Sequence, residues 1–203
     1  MAPAPRTAII VYSLYHHIAT LAREAKLGVE SAGGVANIFQ VPETLNDDIL
    51  KILHAPEKPD FPIATLDTLR EYDAFLFGIP TRYGNMPTQW KSFWDSTGSL
   101  WANGELKGKS AGVFVSTGSP GGGQESTVMN TLSTLTHHGI SFVPLGFANP
   151  AQGSFDNGIQ GGSLWGAGTF AGHDGSRQVT DIEKSIAKTQ GHDFFKTLTK
   201  YSN

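Results

Sequence analysis

The stretch that decides the fold is Thr7-Ala8-Ile9-Ile10-Val11-Tyr12-Ser13-Leu14-Tyr15-His16-His17-Ile18. Its first half, Thr7 to Tyr12, is a short and nearly continuous apolar run, the pattern of a strand buried on both faces of a parallel sheet. Its second half is a polar turn. Directly after the turn, Ile18, Leu21, Ala22, Ala25 and Val29 recur at helical spacing, and Gly33-Gly34 ends the helix. A buried strand that passes through a short loop into an amphipathic helix opens a unit in which the helix crosses back over the sheet.

The same unit recurs outward from this stretch. Further buried strands are predicted at Val35–Val41, Ala74–Ile79, Gly112–Thr117 and Ile140–Leu145. Helices are predicted at Asp47–His54, across Leu66–Tyr72, and at Thr88–Trp101, Glu125–His138 and Asp181–Tyr201. In the last of these, Ile182, Ile186, Phe194, Phe195 and Leu198 face inward, while Lys184, Lys188 and Lys200 belong to a solvated face. Five strands alternating with helices give an α/β fold, a doubly wound parallel sheet with helices on both faces, and one domain accounts for residues 1–203. Residues 42–62 are proline-punctuated and hold the short helix Asp47–His54, whereas the glycine-rich residues 146–175 lack clear periodicity, and connections that long are usually functional or disordered.

Composition narrows the chemistry. The 24 glycines in 203 residues exceed the average usage of about 7%, yet adequate apolar content excludes disorder and the lack of a Gly-X-Y period excludes collagen. With no cysteine, thiol nucleophiles, disulfides and cysteine-ligated metals are excluded, so redox chemistry has to come from a bound cofactor. The net charge of −3 without a Lys/Arg run lacks the footprint of a nucleic-acid binder. Met1–Arg6 does not read as a signal peptide, Tyr201-Ser202-Asn203 carries no prenylation or peroxisomal signal, and no run of 18 apolar residues exists. A cytoplasmic protein without stable membrane insertion is expected. The seven histidines are scattered, and no metal is expected.

In an open parallel sheet, ligands bind beyond the carboxyl ends of the strands. The loops there are Ser13–Ile18, Pro80–Asn85 and Ser116–Gln124, which together hold one arginine and no carboxylate. That composition suits a flat, polar, anionic ligand. The first loop enters a helix directly, so free backbone N–H groups suit a phosphate there; a plain N-cap by Ser13, with His16 and His17 in solvent, is the competing reading. Gly118–Gly123 has triphosphate-loop spacing, but Gln124-Glu125 replace the required Lys-Ser/Thr pair. A dinucleotide fingerprint should follow the first strand, where no glycine occurs between Thr7 and Leu27. Neither a G-x-S-x-G elbow nor an H-E-x-x-H motif is present. Trp90 and Trp94 read as core, whereas Trp101 follows the helix-breaking Thr97-Gly98-Ser99 and is the one tryptophan expected to face a ligand.

Several blocks together resemble the WrbA-type flavodoxin-like NAD(P)H:quinone oxidoreductases, with wording closest to the fungal branch. They are Ser13-x-Tyr15-x-His17-Ile18, Pro80-Thr81-Arg82-Tyr83-Gly84-Asn85-Met86, Gly98-x-Leu100-Trp101-Ala102, Ser116-Thr117-Gly118 with Gly121-Gly122-Gly123-Gln124-Glu125, and Thr134-Leu135-x-His137-His138-Gly139. Gly161-Gly162-Ser163-x-Trp165-Gly166-Ala167-Gly168 and Ala171-Gly172-x-Asp174-Gly175-Ser176-Arg177 extend the match over nearly the whole chain.

The resemblance implies a five-stranded sheet of order 2-1-3-4-5, one FMN per subunit, NADH or NADPH as co-substrate, and a homotetramer. It implies two-electron reduction of quinones by ping-pong hydride transfer through flavin N5. Ser13, Leu14, Tyr15, His16, His17 and Ile18 would receive the FMN phosphate. Pro80, Thr81, Arg82, Tyr83, Gly84 and Asn85, with Ser116, Thr117, Gly118, Ser119, Gly121, Gly122 and Gly123, would hold the ribityl chain and the ring system. His137 would line the site; beside what the resemblance implies, His137 or Tyr15 is the candidate to assist proton delivery to the quinone. Tyr15 and Trp101 would shape the nicotinamide and quinone face, Trp101 toward the flavin of another subunit. The family usually has glycine where this chain has His16, and a side chain there restricts the backbone or crowds the phosphate. Ser119-Pro120 lengthens the third loop, and residues 147–160 form a shorter connection than in the family. Two alternatives stand beside this reading: a one-electron flavodoxin-type carrier, and an FMN-free binding or scaffold protein that lost the cofactor through His16.

Overall fold

A computed structural model describes residues 4–154, 156 and 158–200; the chain ends read above, Met1–Pro3 and Tyr201–Asn203, lie outside the described residues. The strands are β1 (Arg6–Val11), β2 (Val35–Gln40), β3 (Ala74–Pro80), β4 (Ser110–Thr117), β5 (Ser141–Phe142), β6 (Gly162–Ser163) and β7 (Gly166–Phe170). The helices are α1 (His17–Ser31), α2 (Asp47–Ile52), α3 (Leu66–Glu71), α4 (Thr88–Asp95), α5 (Gly98–Ala102), α6 (Gln124–His138) and α7 (Asp181–Lys200). The sheet order is β2-β1-β3-β4-β7-β6, with β5 also paired to β4. All pairs are parallel except the antiparallel β6–β7 pair.

Because successive strand residues point to opposite faces, the apolar runs feed two cores. Ile10, Phe75, Phe77, Val113 and Val115 pack with Trp90 and Trp94 of α4 on one face. Ile9, Val11, Leu76 and Phe114 pack with Ile18 and Leu21 of α1 and with Ile186, Phe194 and Phe195 of α7 on the other. Trp90 Nε1 also donates to the Gly78 carbonyl (3.0 Å), pinning α4 to the end of β3. No described helix is long and apolar enough to cross a membrane.

The expected order 2-1-3-4-5 holds as far as β4, but among the described residues the sheet has seven strands instead of five, and the fifth strand and the helix expected over Thr88–Trp101 need correction. The fifth strand, expected over Ile140–Leu145, is only Ser141–Phe142 and pairs with the start of β4. Pro144 supplies no N–H for continuing the ladder. The far half of that sheet edge is β7, from the stretch read as aperiodic, and it pairs Val115 with Gly168, Ser116 with Thr169 and Thr117 with Phe170. Gly166 and Gly168 hide this strand from propensity, but close approach requires them. A Cβ on Gly166 would stand 1.8 Å from the Val113 carbonyl oxygen. The helix expected over Thr88–Trp101 is two helices, α4 and α5, separated at Ser96-Thr97.

Candidate functional site

The carboxyl ends of β1, β3 and β4 open on a cleft of about 110 Å³ lined by Ser13, Leu14, Tyr15, His17, Ile18, Pro80, Thr81, Arg82, Ser116, Thr117, Gly118 and Ala171. Eleven of these residues come from the three loops singled out by topology. Ala171 comes from the residue that follows β7, and it was missed because its strand was missed. Its N–H donates to the Thr117 carbonyl (2.8 Å), which holds it at the edge of the cleft.

The first loop carries the decisive geometry. Among the described residues, no acceptor meets the N–H groups of Leu14, Tyr15, His16, His17 or Ile18, while Ser13 Oγ accepts the N–H of Ala19 (3.2 Å). Capping and an open row of donors thus coexist, whereas the sequence had set them as alternatives. Five unpaired amides at the positive end of a 15-residue helix form an anion cradle. His16 takes the left-handed conformation, φ 67°, which glycine adopts most freely, and histidine is among the side chains that tolerate it. Its Nε2–H donates to the Glu57 carbonyl (2.8 Å), and His16 is not among the residues lining the cleft. His17 Nε2–H donates to the Arg177 carbonyl (2.7 Å).

The other two loops brace each other. Thr81 Oγ1 accepts from the Gly84 N–H (3.1 Å) and from Thr127 Oγ1 of α6 (2.8 Å), and Asn130 donates to the Gly84 carbonyl (2.7 Å). Gly123 has φ 102°, and a Cβ on it would come within 2.9 Å of Gly84 Cα. Gln124 donates to Thr117 Oγ1 and to the Thr169 carbonyl and accepts from the Gly162 N–H, tying the β4 loop to β6 and β7. Tyr83, also with positive φ, is fully exposed, and Asn85 pairs back to Arg82.

Behind the cleft, two carboxylates that the loop composition could not reveal are saturated with donors. Glu183 of α7 has 0% exposure and accepts from Arg177, Thr169 Oγ1 and the N–H groups of Gly161 and Thr180. Burial pushes its pKa up, but those donors outweigh burial and hold it below the ordinary glutamate value. Glu43 accepts from Lys58 (2.6 Å), Tyr12, Gln89 and the N–H groups of Thr44 and Leu45. Here too burial raises the pKa and the bonds from Lys58 and the backbone lower it further. Burial, then the Glu43 carboxylate, drives the Tyr12 hydroxyl well above its usual value, so it remains a donor.

His137 and Trp101 lie elsewhere. They share a groove of about 320 Å³ with Lys91, Trp94, Thr97, Gly98, Thr134 and His138. Trp101 is 57% exposed, whereas Trp90 and Trp94 are buried. His138 Nε2–H donates to Thr97 Oγ1 (2.9 Å), whose own proton goes to the Trp94 carbonyl. Burial, then the neighbouring His137, lowers the pKa of His138. Within one chain, neither Trp101 nor His137 lines the cleft of the phosphate-type loop.

A doubly wound sheet with a helix-dipole anion cradle at the ends of β1, β3 and β4 defines a flavodoxin-like protein. One solved structure of this fold, a WrbA-like flavodoxin from Agrobacterium tumefaciens, aligns over 98% of this chain and 99% of its own with a TM-score of 0.69 and 18% identity. The model of the NADPH-dependent FMN reductase family matches residues 12–153, and the chain belongs to that family. It is 65% identical over 197 residues to the NAD(P)H quinone oxidoreductase PST2 of Candida albicans, covering 97% of this chain and 98% of that protein. To Protoplast secreted protein 2 of Saccharomyces cerevisiae it is 58% identical over 97% of this chain and the whole of that one.

Proposed function

We propose that the protein is an FMN-dependent NAD(P)H:quinone oxidoreductase that reduces quinones to hydroquinones by two-electron, ping-pong turnover. The observation that carries this reading is the row of unpaired N–H groups from Leu14 to Ile18 at the start of α1. It supports a phosphate dianion without a lysine in the loop. The cleft's 110 Å³ is below the roughly 300 Å³ of a pocket that encloses a whole small molecule. It therefore suits the phosphate and the adjoining ribityl chain, with the flat ring on the open surface between the other two loops.

In this reading, Ser13 to Ile18 hold the phosphate, and Pro80–Asn85 with Ser116–Gly123 hold the ribityl chain and ring. Bound FMN supplies the hydride relay at N5 between nicotinamide and quinone. The N–H groups of Ser119, Gly121 and Gly123, unpaired among the described residues, favour negative charge on the ligand edge they face. Tyr15 is anchored through its hydroxyl to the Leu53 carbonyl (2.9 Å), which fixes its half-exposed ring at the mouth of the cleft. Because nicotinamide and quinone need the same open face, the oxidised nicotinamide leaves before the quinone enters. Trp101 and His137, grouped away from the cleft, complete the site of a second copy in a homotetramer, where His137 is placed to pass a proton to the quinone. The left-handed seat of His16, with its imidazole bonded to Glu57, speaks against the FMN-free scaffold reading.

Initial rates with NADH and benzoquinone test the reaction class. Parallel double-reciprocal lines are expected. Intersecting lines contradict the ping-pong order, and negligible turnover by flavin-loaded protein, with a one-electron slope in a redox titration, supports the carrier instead.

A further inference from the structure

Residues 42–62, read from sequence as a proline-punctuated connection with one short helix, reach the first loop at three points. Tyr15 donates to the Leu53 carbonyl, His16 donates to the Glu57 carbonyl, and Lys58 Nζ donates to the Ser13 carbonyl (3.4 Å). Lys58 is itself held in place: its ammonium is 2.6 Å from Glu43 Oε2 and 4.4 Å from the centre of the Tyr12 ring. Glu43 in turn is bound by Tyr12 at the end of β1 and by Gln89 of α4. Neither Lys58 nor Glu43 lines the cleft.

The Ser13 carbonyl and the Leu14 N–H belong to one peptide unit, and with no cis peptide in the described chain they point in opposite directions. A cation on the carbonyl polarises that unit and strengthens the donor on its far side. Leu14 lines the cleft, and its N–H has no acceptor within the described chain.

The geometry points to Lys58 as a positioning residue for the phosphate loop, acting through the Ser13–Leu14 peptide and favouring a phosphorylated flavin over an unphosphorylated one. This rests on the FMN reading above. Glu43 holds the ammonium in place, so the loop gains a fixed dipole without a mobile lysine entering the cleft. Lys58 differs from the lysine of a triphosphate loop, which touches the phosphate itself.

The test titrates wild-type protein, Lys58→Met, Lys58→Gln and Lys58→Arg with FMN and with riboflavin by flavin-fluorescence quenching, and records the Leu14 amide resonance of the ligand-free proteins. The Met and Gln variants are expected to weaken FMN about tenfold, the size of one charge-assisted hydrogen bond. Riboflavin affinity should stay unchanged, the Leu14 amide proton should move upfield, and Lys58→Arg should restore both readings. Equal loss of both flavins, or an unmoved FMN Kd, overturns the role of Lys58 while leaving the FMN reading intact. Wild-type protein that fails to quench FMN overturns both.

Discussion

Glu183 shows how one buried charge shapes a distant site. It has 0% exposure, and its carboxylate gathers Arg177, Thr169, Gly161 and Thr180. Through Arg177 it fixes the carbonyl that orients His17 in the cleft. Because the folded-state pKa is depressed, this stabilisation is complete above the unfolded carboxyl value of roughly 4.3 and is lost as pH falls through the lower folded value. Urea midpoints measured from pH 7 down to pH 3 should therefore fall less steeply for Glu183→Gln than for wild type. At pH 7 the variant should be about 3 kcal/mol less stable, since it leaves a partly buried arginine unpaired. Equal slopes in acid would remove Glu183 from this role. Sequence periodicity placed Ile186, Phe194 and Phe195 inward correctly, yet it gave no sign of Glu183. A carboxylate in the first turn of a helix looks the same whether it caps that helix in solvent or anchors a loop from elsewhere. His16 was equally opaque, because its tolerance depends on Glu57, 41 residues away.

At the scale of elements, strands β1, β3 and β4 were legible because burial on both faces leaves an unbroken apolar run. The three loops of the site followed from topology alone, and eleven of the twelve cleft residues lie in them. Strand β7 was illegible for the opposite reason. Its sequence Gly-Ala-Gly-Thr-Phe has little side chain, since β4, Gln124 and the 161–162 turn pack directly on its backbone. Gly166→Ala should push β7 from β4 and cost about 2 kcal/mol, measured by chemical denaturation. Because β7 delivers Ala171 to the cleft, FMN affinity should fall in the same variant. An alanine variant with wild-type stability would show that the close approach to Val113 is not required.

For the whole molecule, the chain divides its candidate chemistry between two places. The cleft at the strand ends has the donors for an anion, and the groove of Trp101 and His137 has the exposed aromatic surface. In the proposed homotetramer the groove of one copy would meet the cleft of another, so turnover is expected to depend on association, whereas the proposed phosphate seat lies within one chain. The most direct test of the account is therefore a calorimetric titration of the flavin-free protein with FMN and with riboflavin. The expected result is one FMN per chain, bound about a hundredfold more tightly than riboflavin, a difference of roughly 2.7 kcal/mol for a charge-assisted phosphate cradle. Equal affinities, or no FMN binding at all, would contradict the assignment of the Leu14–Ile18 amides as the seat of the phosphate.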